Sequence, residues 1–208
     1  MSMTSLARWQ TVWQQVGAST DGESLFHQLV ASYSEPHRQY HTLKHLNECF
    51  LHFYNLRSLP DHPDEVELAL WFHDAIYDTT KKDNEQRSAE WARESLLAAG
   101  VANEKAERIY KLVMFTMHNA VPVGSDAEVL VDIDLGILGA GAARFNEYEV
   151  QVRQEYSWVP ENLYHAARRK VLEEFTSREW IYSTPLFRSE YEARARENIA
   201  RSLARNGN

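Results

Sequence analysis

Apolar residues recur along this chain with a helical period almost from end to end. In SLARWQTVWQQV, Leu6, Trp9, Trp13 and Val16 fall three or four positions apart, and the pattern stops at Gly17. SLFHQLVASY repeats the spacing with Leu25, Leu29 and Tyr33 ahead of Pro36. Between Tyr40 and Leu56, Leu43, Leu46, Phe50 and Phe53 form one stripe, while His41, His45 and His52 fall roughly 100–200° away from it at the helical rotation per residue. Both sides of that helix suit burial. From Asp64 to Tyr77 the stripe is Val66, Leu70, His73 and Tyr77, which gives His73 a core-facing position.

Further helices follow. Asp83 or Asn84 can cap a helix that runs through Ser88, Trp91 and Leu96 to Gly100. Asn103 starts another, EKAERIYKLVMFTMH, with His118 at its far end. The stretch AEVLVDIDLGILGAG is apolar on every side except at Asp132 and Asp134. As a strand it would put both carboxylates on one face, whereas in a helix they diverge by roughly 200°. Its helical neighbours favour a buried helix. The remainder reads as three amphipathic helices, with Pro160 and Pro185 near their starts and a last helix over about 186–205. The expected fold class is all-α, a helical bundle, in one domain spanning 1–208, because 208 residues suit a single domain.

Composition narrows the classes. Hydrophobic residues at 44% and aromatics at 12% are enough for a core of normal size. No apolar run approaches the roughly 20 residues of a membrane span, and the first residues lack a signal-peptide layout, so no membrane partner is expected. Cys49 is the only cysteine, which excludes an intramolecular disulfide and a cysteine-rich zinc site and fits a reducing, cytoplasmic setting. The formal net charge of -8 opposes binding of a nucleic-acid polymer. A phosphate-bearing small molecule must therefore meet a local cation or a metal ion.

Four features carry candidate chemistry: the His41/His45 pair, the His73-Asp74 dipeptide, His118, and the Asp132/Asp134 pair. Imidazole nitrogens with carboxylate oxygens suit a divalent transition ion, or magnesium where histidines are fewer. A carboxylate set among Val, Ile and Leu needs a cation, because burying it unpaired costs several kcal/mol. Asp134 is in that position.

The ordered set of His, then His-Asp, then a distant Asp in a helical chain resembles the HD-domain superfamily of metal-dependent phosphohydrolases. The segments RQYHTLKH, WFHDAIYD, DNEQRSA and DIDLGILG together are similar to a bacterial branch known only as predicted phosphohydrolases, over about residues 36 to 185. The resemblance implies a first His, the His-Asp pair and a late Asp around one metal ion, with a second ion in some members. The cyclic-nucleotide phosphodiesterases, a related helical group, have a Tyr-His-Asn-x-x-His arrangement in which the second His binds metal and the first gives a proton to the leaving group. YHTLKH is similar, with Thr42 in place of Asn. On that matching the ligands are His45, His73, Asp74 and Asp134. His41 is then the acid, Asp74 also orients the water or bridges two ions, and Asp132 supports the ligands from behind. His118, apart from that matching, is a candidate for a second ion or the substrate phosphate, with closure of its helix end against the dipole as the structural alternative.

The expected enzyme is a metal-dependent hydrolase of a phosphoester or phosphoanhydride, with a nucleotide as one candidate substrate. Its cofactor is a divalent ion from the set Mn, Mg, Co, Fe, Ni and Zn. Arg38, Lys82 and Arg153 are candidates to hold phosphate, since guanidinium and ammonium groups supply both donors and charge. No protein nucleophile is evident, as the one cysteine lies in a helix stripe and no G-x-S-x-G elbow is present. Two alternatives stay open: a di-iron oxygenase on the same fold, with His118 as an added ligand, or a module that binds a nucleotide without turning it over.

Overall fold

Helix-favouring periods become helices throughout. In the computed structural model, which describes residues 3–205, there are eleven α-helices, one 3-10 segment and no strand among the described residues. They are α1 (Leu6–Gln15), α2 (Glu23–Ser32), α3 (Leu43–Leu56), α4 (Pro63–Phe72), α5 (Asn84–Ala98), α6 (Asn103–Phe115) and α7 (Ser125–Asp134), then the 3-10 segment Leu135–Gly139, and then α8 (Ala142–Glu155), α9 (Glu161–Ser177), α10 (Pro185–Glu190) and α11 (Glu192–Arg205). The all-α expectation holds, and the apolar stretch with Asp132 and Asp134 is helical as far as Asp134. No helix is long and apolar enough to cross a membrane among the described residues.

The chain divides into two compact units whose boundary in sequence falls between Ile133 and Asp134. The first is centred on α4, whose Leu68, Ala69, Leu70, Trp71 and Phe72 are all fully buried. A helical stretch apolar on every side, as over Leu68 to Phe72, belongs inside a core. Trp71 packs edge-on against Trp9 at 5.4 Å and Phe26 at 5.7 Å, and lies 5.1 Å from Phe50, so one indole joins α1, α2 and α3. Pro63 opens α4 with Asp64 and Glu65 in its first turn, the arrangement that its N-terminal dipole favours. Its buried acids are paired: Glu65 with Arg108 at 2.7 Å, and Glu67 with Arg8 at 2.6 Å and with Arg57.

The second unit is built around the 3-10 segment. The Asn198 amide donates to the carbonyls of Leu138 and Ala140 at 2.7 and 2.9 Å. Arg194 Nε donates to the Gly139 carbonyl at 2.9 Å, and the Tyr182 hydroxyl donates to that of Leu135 at 3.0 Å. The last expected helix is broken at Tyr191, whose φ of -119° separates α10 from α11. Gly139 fits against that break: a Cβ there would stand 2.7 Å from Tyr191 Cβ and 2.8 Å from its carbonyl oxygen. Gly139→Ala should therefore lower unfolding stability by about 1–3 kcal/mol through overpacking, read from a urea melt of the purified variant.

Candidate metal centre

Thr42 takes extended backbone angles, and its hydroxyl accepts a hydrogen bond from the Lys44 N–H at 3.3 Å, so α3 starts at Leu43. His41 thus lies outside the helix that was expected to begin at Tyr40. The Thr42 N–H bonds the Tyr40 carbonyl at 2.7 Å, and this three-residue turn folds His41 back toward His45, with ring centroids 6.0 Å apart. The two histidines are near each other because of the turn, not because they share a helical face. His41 lies between aromatic rings, 4.1 Å from that of Tyr77 and 4.9 Å from that of Tyr40.

The helix expected to reach Tyr77 stops at Phe72, and His73 is its C-terminal cap. Main-chain groups beyond it are held by two buried side chains. The Asp74 N–H donates to the Tyr33 hydroxyl at 3.3 Å, and that hydroxyl donates to the Trp71 carbonyl at 3.1 Å. Burial raises the Tyr33 pKa well above the ordinary tyrosine value, which keeps the hydroxyl neutral and able to do both. Arg38 is the second. Its side chain is fully buried, its Nη1 donates to the carbonyls of Asp74 at 2.6 Å and His41 at 3.2 Å, and its Nη2 donates to that of Ala75 at 3.0 Å.

Three ligand atoms converge where these segments meet. His45 Nε2 and His73 Nε2 are 3.1 Å apart, and Asp74 Oδ2 stands 3.0 Å from the His73 nitrogen and 3.6 Å from the His45 nitrogen. Neighbouring ligands of an ion held at about 2.1 Å lie about 3.0 Å apart in an octahedron and about 3.4 Å apart in a tetrahedron; the two shorter sides fall in that range and the third, at 3.6 Å, is slightly longer. The tautomer agrees. His73 Nδ1 lies 2.8 Å from the Leu70 carbonyl, which can only accept, so Nδ1 carries the hydrogen and the neutral ring turns its Nε2 lone pair toward the carboxylate. Two lone pairs at 3.0 Å repel unless a cation stands between them or the ring gains a proton. The donor set fits a metal ion.

A second grouping overlaps the first. His45, Cys49, His73 and Asp134 each offer one ligand atom within 4.8 Å of the others, with the first three residues buried and Asp134 partly so. Asp134 is the last residue of α7, a helix that otherwise belongs to the first unit. These four residues could hold a metal ion. Cys49 was not among the expected ligands. Its signal in the sequence is its place one helical turn after His45, the spacing that puts two side chains on one face.

The other expected residues are placed apart from this group. Asp132 is fully buried on α7 and is not one of the converging ligands. His118 lies three residues past the end of α6 with φ of 54°, in the left-handed region unusual for a side chain of its size, and it is likewise outside the group. Arg38, expected as a phosphate ligand, has a fully buried side chain whose guanidinium bonds carbonyl oxygens. Arg153 donates to the carbonyls of Tyr156 at 2.6 Å and Val159 at 3.1 Å, while Lys82 is exposed in the loop before α5. Further along α3, burial holds the His52 pKa below the ordinary histidine value, against the pull of Glu48.

Compared with protein-family models, curated proteins and solved structures, the chain matches none of them.

Proposed function

We propose that this chain is a metal-dependent hydrolase of a phosphoester or phosphoanhydride, built on an HD-type helical scaffold. The observation that carries this reading is the triangle of His45 Nε2, His73 Nε2 and Asp74 Oδ2, with sides of 3.1, 3.0 and 3.6 Å, in a chain whose motif order resembles that superfamily. His45, His73, Asp74 and Asp134 would hold the ion. When bound, the ion supplies charge neutralisation at the phosphoryl oxygens and Lewis acidity toward water. That supply matters in a chain of net charge -8, whose Arg38 is buried away from any substrate.

The chain's own residues divide the remaining work. His41 stands beside the ligands without belonging to the group, and its imidazolium gives a proton to the departing oxygen as water adds to phosphorus and the phosphorus–oxygen bond breaks. The rings of Tyr40 and Tyr77, 4.9 and 4.1 Å from that of His41, restrict its rotation. Arg38 fixes the main chain of His41 relative to that of Asp74 through bonds of 3.2 and 2.6 Å.

The test is elemental analysis of the purified protein, followed by a phosphate-release screen over nucleotides and small phosphoesters with Mg, Mn, Co, Fe and Zn. The expected result is about one or two ions per chain and release that a chelator abolishes. Stoichiometric metal with no release from any substrate would overturn the reaction, and oxygen uptake with iron would replace it with an oxidative one.

A further inference from the structure

We propose that Cys49 decides which metal this centre takes, making it a site for a thiophilic ion such as zinc, iron(II) or cobalt(II) in preference to magnesium. The inference rests on the metal-site reading above and not on the reaction assigned to it. Cys49 is 1% exposed, and its Sγ lies 3.7 Å from both ring nitrogens of His45. The same sulfur is within 4.8 Å of a ligand atom from each of His73 and Asp134. A sulfur at about 2.3 Å and an imidazole nitrogen at about 2.1 Å from one tetrahedral ion stand roughly 3.6 Å apart, close to the 3.7 Å between Sγ and Nε2.

Because Sγ is equally far from Nδ1 and Nε2, it lies beside the ring and off the Nε2 lone-pair axis. Ligation draws it inward by side-chain rotation, with the S–H bond giving way to a sulfur–metal bond and the proton passing to solvent. With Cys49 added to His45, His73, Asp74 and Asp134, two imidazoles, one sulfur and two carboxylates form a borderline donor set that ranks zinc, cobalt and iron above magnesium, which prefers an octahedron of oxygens. A hydroxyl in place of the thiol would remove the softest donor.

The single cysteine makes the test specific, since any thiolate-to-metal signal must come from Cys49. Full-length protein stripped with a chelator is titrated anaerobically with cobalt(II). The expected result is a near-ultraviolet sulfur-to-cobalt charge-transfer band that is lost in Cys49→Ser and in Cys49→Ala, together with a fall in zinc affinity on the order of 100-fold and no change toward magnesium. Alanine serves beside serine because it adds no buried hydroxyl, and circular dichroism melts establish that both variants are folded. Cobalt bound in wild type with visible d–d bands but no charge-transfer band would overturn the proposal, as would unchanged zinc affinity in both folded variants. A charge-transfer band without phosphate release supports the proposal and removes only the reaction; release by a protein lacking the band does the reverse.

Discussion

Asp74→Ala should leave the helices folded and the protein without metal. The side chain is 17% exposed, so its loss leaves a gap that water can reach and not a sealed cavity. Its main-chain bonds, the N–H to Tyr33 and the carbonyl to Arg38, survive the substitution. What disappears is the carboxylate 3.0 Å from His73 Nε2, the nearest negative charge to both imidazoles among the contacts described above. Metal per chain should fall from about one to near zero by elemental analysis, with the melting temperature of the metal-stripped protein changed by only a few degrees. A fully metallated, folded Asp74→Ala protein would sink the ligand assignment. Asp74 is the better position to test than His73, which is 1% exposed and whose removal adds a cavity costing about 1–3 kcal/mol.

The complementary expectation concerns His41. Its ring is 6.0 Å from that of His45 and it is not one of the converging ligands, so His41→Ala should keep its metal. Turnover should fall by about 10²–10⁴-fold, the range for removal of a general acid, while substrate affinity stays near wild type. The defect should shrink on a substrate with a good leaving group, such as a nitrophenyl phosphodiester, because a departing oxygen that is already stable needs no proton. Equal defects on activated and unactivated substrates would remove the acid role, and metal loss in His41→Ala with retention in His45→Ala would exchange the two residues.

The helical class was legible because apolar spacing of three and four persists in nearly every segment; the Asp132–Asp134 stretch lacks that spacing, and there the helical neighbours decided against a strand. Helix ends were less legible, and for different reasons. The start of α3 had a local signal, Thr42 directly before the first apolar stripe residue, which the pull of the Tyr40–Leu56 period concealed. The end of α4 had none. Ala75, Ile76 and Tyr77 continue the apolar pattern, and the helix stops where the distant Tyr33 and Arg38 capture its next main-chain groups. His45, His73 and Asp74 were named as ligands through the likeness of their motifs to the HD-domain superfamily, and their ligand atoms lie 3.0 to 3.6 Å apart. One cysteine in a helix stripe has the sequence pattern of a packing residue, and only the fold sets its sulfur 3.7 Å from His45. The sequence carries no information on whether the Arg38 guanidinium faces solvent or, as found, three carbonyls.

That same arginine bears on how the centre comes into being. In small zinc modules the ion itself organises the chain, and chelation unfolds it. Here a buried protein cation bridges the carbonyl of His41 to those of Asp74 and Ala75, so the segments ahead of α3 and behind α4 are clamped by a charge that never dissociates. The ion arrives at a vessel already shaped, and its binding energy goes to affinity instead of folding. Loading and stripping should therefore be reversible exchanges within one fold, with the choice among ions left to whichever is available in the surroundings and to the donors that meet it.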